Sequence, residues 1–408
     1  MISLDEALQR LVDGTRAHAS RRVETVSTFD ALHRVLAADV TSALDVPPQD
    51  NTSMDGYALR AADVPEAGTV LPVAQRIPAG VVGEPLAPGH AARIFTGAEV
   101  PPGADAVVMQ EQCEALPAAD GADGLGSVRI DTTPSPGQWV RRRGEDVRAG
   151  AVVLRAGTRL TPQALGLAAT VGAATLDVAP KPRVALFSTG DELVMPGEPL
   201  PPGAIYNSNR YTLRALLQAA GCEVVDLGIV PDRLDATRQA LRDAATAADL
   251  ILTSGGVSVG EEDHLRPAVM AEGSLDLWKI AIKPGKPLAF GRVGEALFIG
   301  LPGNPVSSFV TFVLAVAPVL RVLQGAEPAG AAPLALPAAF DWPRPDKRRE
   351  FLRVRRNAEG ALALFPNQSS GVLTSTVWAD GLVDNPPGQP IARGDLVRFL
   401  SLDSLLWR

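Results

Sequence analysis

Apolar and polar positions follow a regular order between residues 183 and 323. Apolar runs at 184–187, 250–253 and 296–301 alternate with segments in which apolar residues recur every three or four positions. The runs predict strands buried on both faces, and the recurring pattern predicts amphipathic helices. Strands that alternate with helices indicate a mostly parallel sheet covered by helices on both faces, so this region is predicted to be an α/β domain.

The preceding region mixes helical and β patterns. Ser3 and Glu6 form a capping-box pattern at the start of a predicted helix, and a second helix is expected over residues 29–38. Thr161 followed by Pro162 predicts the start of a third helix. Between these helices, short β-like runs separated by Pro and Gly predict an inserted β domain: 69–73, 91–95, 106–110 and 128–131.

The last part of the chain is predicted to be a small β-barrel or sandwich. An alanine- and proline-rich linker ends near Pro337, and β-like runs follow at 350–355, 361–365 and 395–402. The predicted domains are therefore a helical N-terminal domain (1–44 and 147–180), an inserted β domain (45–146), an α/β domain (181–327) and a C-terminal β domain (328–408).

Composition excludes several classes of protein. The 408 residues carry a net charge of −8, which argues against a general nucleic-acid binder. The two cysteines form no C-x-x-C motif and the four histidines show no metal-binding spacing, a pattern typical of a reduced, cytoplasmic protein. We recognise no apolar run of membrane-spanning length and no export signal, so we predict no membrane association.

Polar side chains collect at the predicted carboxyl ends of the parallel strands, where open α/β sheets bind ligands. They are Asp191, Glu192, Asp232, the loop from Ser254 to Asp263, Lys283, Lys286 and Asn304. Acids hold Mg²⁺, lysines hold oxyanions and glycine loops supply N–H donors, so the set favours phosphoryl chemistry. Lys279 and Lys283 lie in one strand-like run, and we expect them to point the same way; a surface lysine is the alternative for Lys279.

The loop Ser254-Gly255-Gly256-Val257-Ser258-Val259-Gly260 lies between a predicted strand and a predicted helix. Its glycines allow backbone N–H groups to approach a phosphate or another oxyanion. The acids that follow it, through Asp263, would repel a phosphate unless a divalent cation such as Mg²⁺ lies between them. Taken alone, the loop is equally compatible with an ordinary turn before a solvated acidic helix.

Seven motifs occur in a single order along the chain: 51–58, 96–97, 141–146, 188–193, 255–260, 283–287 and 301–305. Together they resemble the molybdopterin molybdenumtransferase family, which includes the C-terminal domain of gephyrin. The resemblance covers nearly the whole chain. It implies an elongated four-domain homodimer that inserts molybdate into adenylylated molybdopterin, with Mg²⁺, and releases AMP and molybdenum cofactor. Transient contact with other proteins of molybdenum cofactor biosynthesis is also expected.

The resemblance also implies roles for individual residues. In one subunit, the inserted domain would contribute Asp55, Thr96, Arg141 and Asp146. The other subunit would contribute Glu192, Asp232, Asp263, Lys279 and Lys283, of which Glu192, Asp232 and Asp263 would hold Mg²⁺. Substrate-binding positions would be Ser254, Gly255, Gly256, Ser258, Gly260, Lys286, Pro302, Gly303, Asn304, Ser307 and Ser375, with Lys286, Ser307 and Ser375 holding molybdate.

Two positions differ from the family pattern. His264 stands where a tyrosine is common, and Asp380 stands where an asparagine is common.

Two other functions are considered beside the transferase. One is a molybdopterin adenylyltransferase, which needs only a single α/β unit. The other is a non-enzymatic scaffold similar to gephyrin, which we expect less because we recognise no second interaction domain or long disordered linker in this sequence.

Overall fold

The computed structural model describes residues 1–18, 22–118, 124–257, 264–328 and 332–407. Its centre is a mixed sheet with six strands. In chain order these are β1 (Arg183–Thr189), β2 (Glu223–Val230), β3 (Leu250–Ser254), β4 (Gly273–Lys279), β5 (Pro287–Val293) and β6 (Ala296–Leu301). Their order across the sheet is β2-β1-β3-β6-β5-β4. β2, β1, β3 and β6 are parallel, whereas β5 and β4 run antiparallel to their neighbours.

Helices cover both faces of this sheet, as the alternating pattern predicts. One face packs against the helix Ser208–Ala219 and against a long apolar helix. The other face packs against the helices Leu234–Ala247 and Leu265–Glu272. Neighbouring residues of β1 are buried on opposite faces, Val184 in the first core and Ala185 in the second. A strand buried on both faces explains why β1 reads as a continuous apolar run.

The long apolar helix runs from Pro305 to Leu323 and contains a π-helical segment, Phe312–Val316, between Pro305–Thr311 and Ala317–Leu323. Contrary to the prediction from sequence, this one stretch of the described residues is long and apolar enough to cross a membrane by length and composition. However, 89% of its most apolar window is buried inside the molecule. The core helix of a protein passes the same test.

The N-terminal helix Leu4–Arg16 is capped by Ser3, whose hydroxyl accepts a hydrogen bond from the Glu6 N–H. Its apolar face joins the core of the α/β domain. A separate cluster contains the helix Pro162–Thr170 and two antiparallel strand pairs. The first pair is Glu24–Ser27 with Thr175–Val178, and the second is Val40–Thr41 with Val152–Leu154.

The helix predicted over residues 29–38 is wrong. The structure has a 3₁₀ turn, Thr28–Asp30, followed by an irregular segment. His33 has a φ of 65°, which is incompatible with a right-handed helix. The His33 and Leu36 N–H groups donate instead to the Leu160 and Thr158 carbonyls. Tertiary hydrogen bonds have replaced the local helical ones.

The inserted domain contains a six-stranded sheet. Its strands are Gly56–Leu59, Thr69–Ile77, Ala91–Ile94, Ala106–Met109, Cys113–Leu116 and Ser127–Ile130. A separate short pair, Asn51–Thr52 with Val140–Arg141, brings Arg141 opposite Asn51. The three-residue turns Ala61–Asp63 and Gln110–Gln112 connect strands.

The C-terminal domain has its own six-stranded sheet. Five of its strands belong to this domain in sequence: Leu334–Pro337, Arg349–Arg356, Leu362–Leu364, Gly381–Asn385 and Leu396–Ser401. The sixth strand is Ile282–Lys283, from the segment just before β5, and it pairs in parallel with Arg349–Glu350. The helices Thr374–Trp378 and Leu402–Trp407 complete the domain. The α/β and C-terminal sheets are therefore joined through the segment that carries Lys283.

Candidate active site

A cavity of about 970 Å³ lies at the carboxyl edge of the parallel strands. It is lined by the segments that follow β1, β2, β3 and β6, and by a loop of the C-terminal domain. The segment before β5 lines it too, because an antiparallel strand begins at the edge where its parallel neighbours end. Eleven of the predicted site residues line this cavity: Glu192, Asp232, Ser254, Gly255, Gly256, Lys283, Lys286, Pro302, Gly303, Asn304 and Ser307.

Charge is ordered along this edge of the sheet. Asp232 follows β2 and Glu192 follows β1, so the acidic groups lie at one end. The glycine loop after β3 and the Pro302–Asn304 turn after β6 occupy the middle. Lys283 and Lys286 precede β5 at the other end. Adjacent strands are about 4.8 Å apart, so three strand spacings separate β1 from β5 by roughly 14 Å.

The glycine loop after β3 requires glycine at Gly255. Its φ is +95°, and a Cβ atom would lie 2.5 Å from the Thr189 carbonyl oxygen. Gly256 has a φ of +63°, and a Cβ atom there would lie 2.7 Å from Thr189 Oγ1. The loop after β3 therefore passes in direct contact with the end of β1, which only residues without side chains permit.

Asn209 connects two loops of the cavity. Its side-chain amide donates to Ser254 Oγ and to the Gly303 carbonyl, both at 2.7 Å. Both Asn209 and Ser254 are buried. These bonds hold the loop after β3 against the turn after β6, which defines the middle of the cavity.

The cationic end is held by the C-terminal domain. Lys283 Nζ lies 3.2 Å from Glu350 Oε1 and 3.5 Å from Asp346 Oδ2. Glu350 is fully buried, and Asp346 forms a two-point ion pair with Arg348. The hydrogen bonds and charge of Arg348, together with Lys283, hold the pKa of Asp346 well below its usual range. Arg348 also lines the cavity, which adds a third cation to this end.

Lys279 and Lys283 do not share a strand, contrary to the expectation from their spacing. Lys279 ends β4 in the central sheet, whereas Lys283 belongs to the C-terminal sheet. The chain changes sheets between them, so the side-chain period of a strand does not relate the two residues. Lys279 is not among the residues that line the cavity.

Ser375 is also absent from the cavity lining. Its hydroxyl donates to the Val372 carbonyl and accepts from Arg353 Nε. Arg353 is buried, and burial lowers the pKa of its guanidinium to about 10. Arg353 also donates to the Ser369 carbonyl, and its N–H donates to the Gln368 side chain. Ser375 and Arg353 thus support the loop 368–371, which does line the cavity.

Several lining residues were not predicted as site residues. They are Thr189, Asn207, Ser208, Asn209, Arg348 and the loop 368–371. Asn207 caps the helix Ser208–Ala219, and residues of this type are common helix caps, so their presence gives no indication of a ligand. The loop 368–371 has a polar sequence, which is equally typical of an ordinary surface loop. Arg348 had no local signal, because only tertiary folding brings it to the cavity.

Ser258, Gly260 and Asp263 lie outside the described residues. Among the residues that are described, no group of three or more His, Cys, Asp or Glu side chains is arranged to hold a metal ion. Asp191 Oδ1 does accept a hydrogen bond from the Asp232 N–H, which joins the two acidic loops. Such carboxylates fit Mg²⁺ in its usual mode, shared with substrate phosphates and water, rather than a preformed metal cage.

The four predicted residues of the inserted domain do not line the cavity. Asp55 and Thr96 are nevertheless paired, because Asp55 Oδ1 accepts from the Thr96 N–H at 2.8 Å and from its hydroxyl at 2.7 Å. These bonds, the N–H bond first, lower the pKa of Asp55. Arg141 and Asp146 are exposed.

The neighbouring arginines of the inserted domain have structural partners. Arg142 pairs with Asp50 and Arg143 with Asp45, whereas Arg141 forms no ion pair within the described part of the chain.

The two positions that differ from the family pattern, His264 and Asp380, lie outside the cavity lining. His264 precedes the helix Leu265–Glu272, and Asp380 accepts from the Arg356 N–H.

Three family models match consecutive parts of the chain. Residues 2–172 match the MoeA N-terminal region (domain I and II), residues 185–322 match a probable molybdopterin binding domain, and residues 335–402 match the MoeA C-terminal region (domain IV). These three matches follow one another over nearly the whole sequence.

The chain is similar to named bacterial and archaeal proteins. A Haemophilus influenzae protein named molybdopterin molybdenumtransferase is 42% identical over 80% of this chain and 78% of its own length. A Bacillus subtilis protein of the same name is 36% identical over 95% of this chain and 90% of its own length. Among solved structures, a molybdopterin biosynthesis moeA protein from Pyrococcus horikoshii OT3 has a TM-score of 0.82 and 29% identity, and the match covers 98% of this chain and 100% of that one.

The predicted fold class is confirmed by these likenesses, and so are the predictions of the family and of a transferase enzyme. The same family is indicated by the ordered motifs, by the α/β domain and by the matches across the sequence. The chain belongs to the molybdopterin molybdenumtransferase family.

Proposed function

We propose that this chain inserts molybdate into adenylylated molybdopterin in a Mg²⁺-dependent reaction that releases AMP. The observation that carries the proposal is the order of charge along one cavity edge, with acids at one end and cations at the other. The substrate has a phosphoanhydride, which needs a metal ion and its acidic ligands. Molybdate is a small dianion, which needs cations. One cavity offers both environments.

At the acidic end, Glu192 and Asp232 would hold Mg²⁺ together with oxygens of the substrate phosphates. Bound there, Mg²⁺ would neutralise negative charge on the phosphoanhydride and so favour departure of AMP. The Asp191 carboxylate fixes the Asp232 backbone and keeps the two acidic loops together. Gly255 and Gly256 let the loop after β3 pack directly against Thr189, which keeps this loop beside the acidic end of the cavity.

At the cationic end, Lys283, Lys286 and Arg348 would bind molybdate. Lysine is a point charge with three donors, which suits a tetrahedral oxyanion. Ser307, which is buried and lines the same cavity, would add a hydroxyl donor. The carboxylates Asp346 and Glu350 hold the lysine in position.

A second copy of the chain would complete the site. Asp55 and Thr96 form a polar pair in the inserted domain, yet neither lines the cavity of their own chain. In a homodimer, the partner's inserted domain would present this pair and the exposed Arg141 and Asp146 to the cavity entrance.

We further propose that the enzyme works in the cytoplasm and exchanges intermediates with other proteins of molybdenum cofactor biosynthesis.

The test is AMP release by the purified full-length chain from adenylylated molybdopterin and Mg²⁺, with and without molybdate. We expect release that requires both Mg²⁺ and molybdate. Lys283→Ala should raise the molybdate concentration needed for half-maximal release, whereas Lys181→Ala, in an exposed linker position, should not. ATP consumption without molybdate would favour an adenylyltransferase, and binding without AMP release would favour a scaffold.

A further inference from the structure

Two buried polar atoms in the cavity have no partner among the described residues. They are Asn207 Nδ2 and Thr189 Oγ1, and both residues line the cavity. Asn207 is 1% exposed and Thr189 is 5% exposed. Other buried side-chain atoms without a partner, such as Thr253 Oγ1 and Ser308 Oγ, belong to residues that do not line it. A buried donor without a partner carries a desolvation cost, so its retention in a cavity wall points to a ligand.

The orientation of the Asn207 side chain is set by its other end. Asn207 caps the 12-residue helix Ser208–Ala219, and its Oδ1 accepts from the Arg210 N–H at 3.1 Å. Because the carbonyl oxygen is used as the cap, the NH₂ group must face the other way. The free donor therefore lies beside the start of the helix, where first-turn N–H groups also lack partners within the helix and the dipole favours negative charge.

The donors at this position are neutral, and the guanidinium of Arg210, in the first turn of the helix, is paired with Asp226. The strand pair Leu193–Val194 with Ile205–Tyr206 connects Asn207 directly to the segment that carries Glu192. Thr189 ends β1, so the lysines before β5 are three strands away. A free dianion would bind better at the lysines. Neutral donors beside carboxylates suit a phosphate whose charge is shared with a cation.

We propose that Asn207, Thr189 and the start of the helix Ser208–Ala219 form a phosphate subsite, separate from the oxyanion site at the lysines. The subsite would bind the phosphoanhydride of the substrate, and to that extent it rests on the proposed function. It also fixes the orientation of the substrate along the sheet edge. Phosphates lie over β1, next to the acidic end, and molybdate enters from the side of β5.

Asn207→Asp separates capping from ligand binding. Aspartate is as good a helix cap as asparagine, so the bond to the Arg210 N–H is retained while the NH₂ donor becomes a carboxylate oxygen. The probe is inorganic pyrophosphate with Mg²⁺, titrated calorimetrically into the full-length chain. We expect the variant to weaken pyrophosphate binding at least tenfold with its melting temperature nearly unchanged. Thr189→Val, which removes a single hydroxyl, should weaken it several-fold.

Lys181→Ala, at an exposed position outside the cavity, is the control and should change pyrophosphate affinity less than about threefold, whereas Lys283→Ala reports any pyrophosphate bound at the lysines. The proposal is overturned if pyrophosphate does not bind the wild-type chain at millimolar concentration. It is also overturned if Lys283→Ala abolishes binding while Asn207→Asp and Thr189→Val leave it intact. Because binding is measured without turnover, pyrophosphate binding together with absent molybdate-dependent AMP release would refute the proposed function and leave the subsite standing.

Discussion

Lys283 Nζ lies 3.2 Å from Glu350 Oε1, although the two residues belong to different domains in sequence. The contact follows from strand pairing, because Ile282–Lys283 joins the C-terminal sheet beside Arg349–Glu350. The other carboxylate oxygen of Glu350 accepts from Trp342 Nε1 at 2.8 Å and from Asn385 Nδ2 at 3.5 Å. A buried acid of the C-terminal domain therefore positions a lysine of the cavity.

Glu350→Gln tests this positioning. Glutamine can still accept from Trp342, so the domain should fold, but Lys283 loses the closer of its two charged partners and keeps Asp346. The cavity gains one positive charge, so molybdate binding should be retained. We expect AMP release to fall roughly tenfold, while the molybdate concentration for half-maximal release changes less than about threefold. Glu359→Gln, at an exposed position of the same domain, is the control. Unchanged turnover in Glu350→Gln would show that Lys283 needs no fixed position.

The same pair makes a prediction about stability. Lys283→Ala leaves the fully buried Glu350 carboxylate without its lysine, which should cost about 1–3 kcal/mol of the free energy of unfolding. The larger cost of a fully buried ion pair does not apply, because 41% of the Lys283 side chain is exposed. The double variant Lys283→Ala/Glu350→Gln should recover most of the loss. Urea unfolding of the wild type, the two single variants and the double variant gives the coupling energy between the two side chains. If the free-energy changes of the single variants simply add up in the double variant, the two residues do not interact.

Gly255→Ala and Gly303→Ala form a matched pair at the cavity. Alanine at Gly255 must adopt a φ of +95° and places Cβ 2.5 Å from the Thr189 carbonyl oxygen. We expect a loss of about 1–3 kcal/mol in the free energy of unfolding. At Gly303 the nearest atom to a new Cβ is 3.8 Å away, so the change should stay within about 0.5 kcal/mol. Denaturant unfolding without ligand measures the free energy of unfolding of both variants. Equal losses in the two variants would contradict the loop geometry.

The strands β1, β3 and β6 of the central sheet could be predicted from sequence because they are buried on both faces and keep their apolar runs. Predicting that Glu192 and Asp232 line one cavity also needed only the rule that ligands bind at the carboxyl ends of parallel strands. The cationic end of the cavity was harder to predict, because Lys283 pairs with the C-terminal sheet and not with the central one. That pairing also brings Arg348 of the C-terminal domain to the cavity. Apolar spacing around Leu36 resembled a helix, but the His33 backbone conformation excluded it.

Some site features have no local sequence signal at all. The free amide of Asn207 is visible only once the helix cap and the cavity are both known. Likewise, the three consecutive arginines gave no sign that Asp50 pairs with Arg142 and Asp45 with Arg143, whereas Arg141 forms no ion pair within the described residues. The arginine pairing depends on contacts between residues far apart in sequence, and the Asn207 amide becomes recognisable only in a cavity that tertiary folding builds.

Thr96→Val should raise the pKa of Asp55. The Thr96 N–H and hydroxyl both stabilise the ionised carboxyl, and valine removes only the hydroxyl. The pKa should therefore rise part of the way towards its ordinary value of about 3.9. Carbon NMR of the labelled Asp55 carboxyl across a pH titration measures it, with Thr133→Val, an exposed position of the same domain, as control. The same pKa in Thr96→Val and wild type would show that the hydroxyl bond is absent in solution.

Asp346→Asn should destabilise the protein in a way that depends on pH. Hydrogen bonds and charge from Arg348, with the charge of Lys283, lower the folded-state pKa of Asp346. A depressed carboxyl pKa contributes stability above the unfolded value of about 3.9, and that contribution is lost as the pH falls through the folded value. The variant should therefore be less stable than wild type at pH 7, with a difference that shrinks progressively below about pH 4. Urea unfolding at several pH values measures this difference, and Asp276→Asn, an exposed carboxylate, should show little change at any pH. A difference for Asp346→Asn that is the same at pH 7 and pH 3 would mean that the ion pair contributes nothing and that packing alone is responsible.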